Sequence, residues 1–132
     1  MSFSILGTGS ALPATIITND DLSRIVDTSD EWIRSRTGIG QRRVCTTETI
    51  TDLAYQAALA ALENSGCRAE ELNLIICATM TADDATPSMA CLLQQRLGAV
   101  CAAFDINAAC TGFLYAMDIA QRILADSPIT RF

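Results

Sequence analysis

Residues 100–112 read Val100-Cys101-Ala102-Ala103-Phe104-Asp105-Ile106-Asn107-Ala108-Ala109-Cys110-Thr111-Gly112. The first eight form a short, β-prone and largely apolar run, which predicts a buried strand. From Thr111 the pattern turns helical. Phe113, Met117, Ala120 and Leu124 recur on one stripe, predicting a helix over 111–125. Cys110 therefore falls where a strand passes into a helix. Such a turn lifts a side chain out of the sheet, as in a nucleophile elbow. The unpaired N–H groups and dipole at a helix N-terminus favour a thiolate there. Ala108, Ala109 and Gly112 keep the approach uncrowded. The position alone also suits a packed structural thiol, the commoner use of cysteine beside a core.

Working back from this junction, Leu72-Asn73-Leu74-Ile75-Ile76-Cys77-Ala78-Thr79-Met80 is a second apolar, strand-like run. Between the two runs, Thr86 is placed to cap a helix with Pro87 at its first position. Met89, Leu93 and Leu97 share a face of that helix, and Gly98 ends it. Upstream, Leu53, Ala54, Ala57, Ala58, Ala61 and Leu62 make a helical stripe from Thr51, stopping at Gly66. Thr28-Ser29-Asp30-Glu31 reads as a capping box with Thr28 as cap, starting a helix that carries Trp32 and Ile33 and stops before Gly38. A strand is also expected over residues 2–8, then a loop with Pro13, a helix from Thr18 to Val26 with Thr18 or Asn19 as cap, and a loop over 40–50. The order of strands and helices predicts a layered α/β fold. The run Pro128-Ile129-Thr130-Arg131-Phe132 reads as the approach to a further strand, so the chain is expected to be truncated before it.

Half of the 132 residues are hydrophobic and 18% are charged, a globular and not a disordered composition. The net charge of −6 argues against a nucleic-acid partner, although Arg34, Arg36, Arg42 and Arg43 form a local basic island. Six cysteines include no C-x-x-C pair and there is no His, so no metal is expected. Most of these cysteines lie in apolar periodic segments, which points to packed thiols rather than disulfides. No basic n-region opens the chain and no apolar run reaches the ~20 residues a membrane helix needs. A cytoplasmic setting is expected. Gly7-Thr8-Gly9 has Leu12 where a dinucleotide fingerprint needs a third glycine, so it reads as a turn. Asp83 and Asp84 read as a solvated turn.

The run Ala108-Ala109-Cys110-Thr111-Gly112-Phe113 resembles the active-site segment of β-ketoacyl-acyl carrier protein synthase III. Further segments resemble that family in its order and spacing: Gly7-Thr8-Gly9-Ser10, Thr18-Asn19 with Asp21-Leu22, Asp27-Thr28-Ser29-Asp30-Glu31-Trp32-Ile33, Arg36-Thr37-Gly38-Ile39 and Pro87-Ser88-Met89-Ala90-Cys91. The resemblance covers nearly all of the chain. It implies a thiolase-like layered α/β/α fold, of which residues 1–132 would be an incomplete first half. It implies Cys110 as the nucleophile that takes an acyl group from acyl-coenzyme A, with malonyl-acyl carrier protein as the second partner in a decarboxylating condensation. It also implies Trp32 stacking on the coenzyme's adenine, Thr28 and Arg36 at its nucleotide end, and a homodimeric full enzyme without a resident cofactor. Thr86 stands where some members carry an aromatic residue reaching the partner's acyl pocket. The His and Asn that the family uses for condensation come from the second half, so this chain alone is expected to be inactive. Two alternatives stay open: a non-catalytic half-domain that pairs with a related subunit, and an acyltransferase that works without decarboxylation.

Overall fold

Backbone pairing, not apolar patterning, defines the first elements. In the computed structural model, which describes residues 4–123 and residue 125, strand β1 (Thr15–Thr18) pairs antiparallel with β2 (Gln41–Val44), setting Thr15 against Val44 and Thr18 against Gln41. Between them lie a one-turn helix α1 (Asn19–Leu22) and a two-turn helix α2 (Asp30–Thr37). Both strands fall where the sequence predicts loop. Their residues are mostly polar or charged and half exposed, so no alternation betrays them. Helix α1 is shorter than the predicted 18–26 because Ile25 and Val26 remain exposed and give no packed face to extend it. Gly38, at φ 74°, stops α2 where expected. Leu12–Thr49, which holds these four elements, is one compact unit.

The described residues up to Ala11 and from Ile50 onward form the second unit. It contains α3 (Ile50–Ser65), a 3-10 turn (Ala69–Glu71), β3 (Leu74–Ala78), α4 (Met89–Leu97), β4 (Ala102–Ile106), a second 3-10 turn (Ala109–Thr111) and α5 (Gly112–Ile123). Strands β3 and β4 are parallel, with Leu74 opposite Ala102 and Ala78 opposite Ile106. A parallel pair needs a crossover, and α4 provides it. The two faces of the pair bury different sets. Cys77 packs with Met89, Ala90 and Leu93 of α4, joined by Ile75, Ala103 and, from α3, Ala54 and Tyr55. Leu74 packs with Ala120 of α5, joined by Ile76 and Phe104. This is an α/β/α sandwich in small, the predicted layered fold in part. Full burial of a side chain such as Leu74 is worth about 1.5–3 kcal/mol. Arg96 reinforces the α3–α4 contact through Asp52 at 2.9 Å and the Tyr55 ring at 4.3 Å.

Three expectations change here. The described part of the predicted first strand, from residue 4 to residue 8, forms no strand. It lies instead against α3: the Asn64 Oδ1 accepts the Thr8 N–H at 2.9 Å, and a Cβ on Gly7 would stand 2.6 Å from the Ala61 carbonyl oxygen. Helix α4 is capped by Ser88, whose Oγ accepts the Cys91 N–H, and not by Thr86. The buried face of α5 is Gly112, Ala116 and Ala120; of the predicted stripe Ala120 is buried, but Phe113 is 66% exposed. Its phase is set at Gly112, where an added Cβ would come within 3.1 Å of the Ala78 Cβ. Leu124 and the predicted approach to another strand at 128–132 lie outside the described residues.

In the smaller unit, the Glu48 carboxylate accepts the Ala14 N–H at 2.8 Å and those of Thr46 and Thr47 at 3.3 and 3.4 Å. These bonds, led by the one from Ala14, bring its pKa down from 4.5 to about 2. A depressed carboxylate stabilises the fold above its ordinary pKa and loses that contribution as pH falls through the folded value. Acid titration followed by NMR should therefore leave the Ala14 amide resonance unchanged down to about pH 4.5. It should then shift with a midpoint near 2, and Glu48→Gln should abolish that transition.

Candidate functional site

Cys110 sits in the middle of the 3-10 turn Ala109–Thr111 that joins β4 to α5, and it is exposed. Strand β4 ends at Ile106, so the cysteine stands clear of the sheet by a short connection rather than at the strand end itself. Ala109, immediately before it, has φ 45°, in the left-handed region. That conformation costs a non-glycine residue about 1–2 kcal/mol and persists only where neighbours fix it. The neighbours here are visible. The Ala108 carbonyl accepts the Thr111 N–H at 3.1 Å and its hydroxyl at 2.8 Å. The Gly112 N–H closes onto the Ala109 carbonyl, and Gly112 presses onto Ala78 at the end of β3. Ala108 has no side-chain acceptor with which to cap the turn.

The strand end from which this turn departs is itself held. The Ile106 carbonyl accepts the Thr79 N–H at 3.1 Å. The Asp105 carboxylate accepts the N–H groups of both Met89 and Ala90, each at 2.8 Å, and so caps α4 from β4. Sequence reading passed over Asp105 as one residue of an apolar strand. The usable signal was the acid itself, because a carboxylate inside a buried run requires donors. Asp83 is also more than a solvated acid: its carboxylate accepts the N–H groups of Ile50 and Thr51 at 3.1 and 2.8 Å, capping α3.

Thr28, Trp32 and Arg36 lie in the other unit. The structure brings Trp32 and Arg36 together, one turn apart on α2, with the Arg36 guanidinium 4.5 Å from the centre of the indole. A cation over an exposed ring is worth about 0.5–1 kcal/mol. Trp32 is 53% exposed, as an aromatic platform needs to be. Thr28 is half-buried just ahead of the helix and does not cap it. Ser29 is the cap: its Oγ accepts the Trp32 N–H at 3.1 Å, one position later than the predicted capping box. A polar cleft of about 520 Å³, lined by Asn19, Asp30, Arg34 and Gln41 among others, opens beside α2 but includes none of the three predicted residues. Among the described residues no group of acids, cysteines or histidines could hold a metal ion. No helix among them is long and apolar enough to cross a membrane.

The β-ketoacyl-[acyl-carrier-protein] synthase III of Xylella fastidiosa strain 9a5c is 56% identical over 123 residues, covering 92% of this chain and 38% of the relative. Over most of its own length the chain is similar to β-ketoacyl-[acyl-carrier-protein] synthase III proteins. The 3-oxoacyl-[acyl-carrier-protein] synthase III crystal structure from Aquifex aeolicus VF5 superposes with a TM-score of 0.89 at 53% identity, over 94% of this chain and 41% of that one. The priming β-ketosynthase of the R1128 polyketide biosynthetic pathway superposes at 0.88 with 36% identity, over 96% of this chain and 38% of that one. The fold is accordingly the thiolase-like one, present in part. The chain spans about two fifths of the length of the synthase III relatives it matches. No family model matches it.

The six cysteines are all free thiols and differ sharply in setting. Cys77 is 7% exposed, and burial, with the charges of Asp105 and Cys91, pushes its pKa up to about 12. Burial also raises that of Cys101. Brief treatment of the folded chain with iodoacetamide at pH 8, followed by peptide mass mapping, should modify the exposed Cys110 and Cys45. It should leave Cys77 unmodified until denaturant is added.

Proposed function

We propose that residues 1–132 are the acyl-accepting N-terminal portion, an incomplete first half, of a β-ketoacyl-acyl carrier protein synthase III. The Cys110 thiolate attacks the thioester carbonyl of acyl-coenzyme A. A new carbon–sulfur bond forms, and the carbonyl electron pair moves onto oxygen. The backbone N–H of Cys110, in the 3-10 turn that leads into α5, donates to that oxyanion as part of its hole. When the pair returns, the bond to coenzyme A sulfur breaks, leaving an acyl-cysteine and the coenzyme A thiolate. Malonyl-acyl carrier protein then loses carbon dioxide. Its carbanion displaces Cys110 from the acyl carbon and forms the β-ketoacyl product. Thr28, Trp32 and Arg36 receive the nucleotide end of coenzyme A, with the indole stacking on adenine and the guanidinium beside the phosphates. The reaction needs no resident cofactor, and the complete enzyme works as a homodimer in the cytoplasm.

The observation that carries this reading is the exposed Cys110 held in a strained, hydrogen-bonded turn between a half-buried strand and a helix. The match to synthase III relatives over 92% of the chain supports it. The chain has no histidine, so the imidazole for the condensation step is supplied from outside these residues. One observation favours a second reading, a half-domain that only pairs with a related subunit: Phe113, Leu114 and Tyr115 on α5 are 55–66% exposed. A third reading is acyl transfer without decarboxylation.

Incubation with radiolabelled acetyl-coenzyme A, with the remaining portion of the Xylella synthase supplied as a separate polypeptide, separates the three. The proposal expects label on the wild-type chain and none on Cys110→Ala, with carbon dioxide released once malonyl-acyl carrier protein is added. Acylation without carbon dioxide favours transfer, and assembly without acylation favours the pairing role. Equal labelling of wild type and Cys110→Ala would sink the nucleophile.

A further inference from the structure

Helix α2 carries Trp32 and Arg36, yet none of its eight residues is buried. Packing therefore does little to fix the direction in which it presents them. Polar attachments take that role, and they converge on one side chain. Asn19, the first residue of α1, is 0% exposed, the only described residue of this unit that is fully buried. Its Nδ2 donates to the Asp30 carboxylate at 2.8 Å, at the first residue of α2. The same nitrogen donates to the Ile39 carbonyl at 2.7 Å, just beyond the Gly38 that ends α2. One amide thus grips the chain at both ends of the helix. Its Oδ1 accepts from Arg42 Nη2 at 2.7 Å, and its backbone N–H donates to the Gly40 carbonyl at 3.3 Å, tying the grip to β2. Both side-chain hydrogens are in use and the oxygen accepts from a cation.

We infer that Asn19 is the positioning residue for the Trp32–Arg36 platform and sets the affinity of that platform for the adenine nucleotide end of coenzyme A. This rests on the proposed role of the platform and extends it to a residue that touches no substrate. Asp30 is part of the same device. It takes the Asn19 amide and, through Arg34 Nε at 2.8–2.9 Å, braces the next turn of the helix. Asparagine suits the place because it offers two hydrogens and an acceptor at once. A leucine of similar size would leave the Asp30 carboxylate, the Ile39 carbonyl and the Arg42 guanidinium without these bonds.

Trp32 is the single tryptophan of the chain, so its fluorescence reports on the platform directly. The test titrates coenzyme A into the full chain and follows that emission, for wild type, Asn19→Ala and Glu48→Ala. Glu48→Ala loosens the same unit at Ala14, Thr46 and Thr47 without touching the attachments of α2. Amide hydrogen exchange over residues 30–37 is measured on each protein without ligand. The inference expects faster exchange over 30–37 and a dissociation constant raised about tenfold or more in Asn19→Ala, with both within twofold of wild type in Glu48→Ala. Should Asn19→Ala lose its circular-dichroism signature, Asp30→Ala, which removes the Asn19 bond at the head of the helix together with the Arg34 brace and leaves the Asn19–Ile39 bond in place, carries the same test. Unchanged binding in a folded Asn19→Ala overturns the inference, as does equal weakening in Glu48→Ala. A wild-type chain whose fluorescence does not respond to coenzyme A counts against the nucleotide reading itself. In that case exchange over 30–37 still judges Asn19: faster exchange keeps its hold on α2, and unchanged exchange removes it.

Discussion

The carboxylate of Asp105 is the point on which the larger unit turns. It projects from the middle of a parallel two-strand sheet and accepts the first two N–H groups of α4, each at 2.8 Å. A helix N-terminus carries unpaired donors and partial positive charge. An acid on an adjacent strand answers both and locks the crossover helix to the strand that follows it. A two-stranded sheet has little stability of its own and depends on helices packed over it. Here α4 lies against Ile75, Cys77 and Ala103, while α5 lies against Leu74, Ile76 and Phe104. With α4 pinned, the end of β4 is a fixed departure point. The strained turn at Ala109 can then hold Cys110 in the open.

The smaller unit is organised differently. Its elements are short and half exposed, and its strands pair by backbone bonds with little apolar burial. Order comes from polar side chains that each satisfy several partners: Asn19 at the ends of α2, Glu48 at the start of β1, and Thr18 with Asp21 in a reciprocal cap. Such an arrangement leaves an aromatic ring and a guanidinium on the surface, where a flat, charged ligand could meet them. The division of labour is chemical. One unit shelters a sheet and exposes a single thiol; the other exposes an aromatic platform and a cluster of arginines.

What could be read from the sequence follows from which forces leave a periodic trace. The strands 74–78 and 102–106 and the helices over 50–65 and 89–97 were legible because each must bury one apolar face. Helix ends at Gly38 and Gly98 were legible because their positive φ angles suit glycine. Thr18 caps α1 as expected, but the caps of α2 and α4 were off by one and two residues. Thr28 and Ser29, like Thr86 and Ser88, offer similar hydroxyls, and only the backbone path decides which oxygen reaches an N–H. The β1–β2 ribbon left no apolar trace. The phase of α5 depends on a close contact of Gly112 with Ala78, which is non-local. At the candidate site, Cys110, Trp32 and Arg36 stood out through their motifs. Asp105 did not, and Asn19 stood in a motif without a role, because their partners lie 15–16 and 11–23 residues away.

The central claim is that the Asp105 clamp reaches as far as the turn that presents Cys110. Residue-resolved hydrogen exchange on wild type and Asp105→Ala tests it most directly. The account predicts that the variant loses protection at the Met89 and Ala90 amides and also at the Thr111 amide, which closes the cysteine's turn onto Ala108. Loss at Met89 and Ala90 with Thr111 unchanged would contradict it, because the turn would then be held without the clamp.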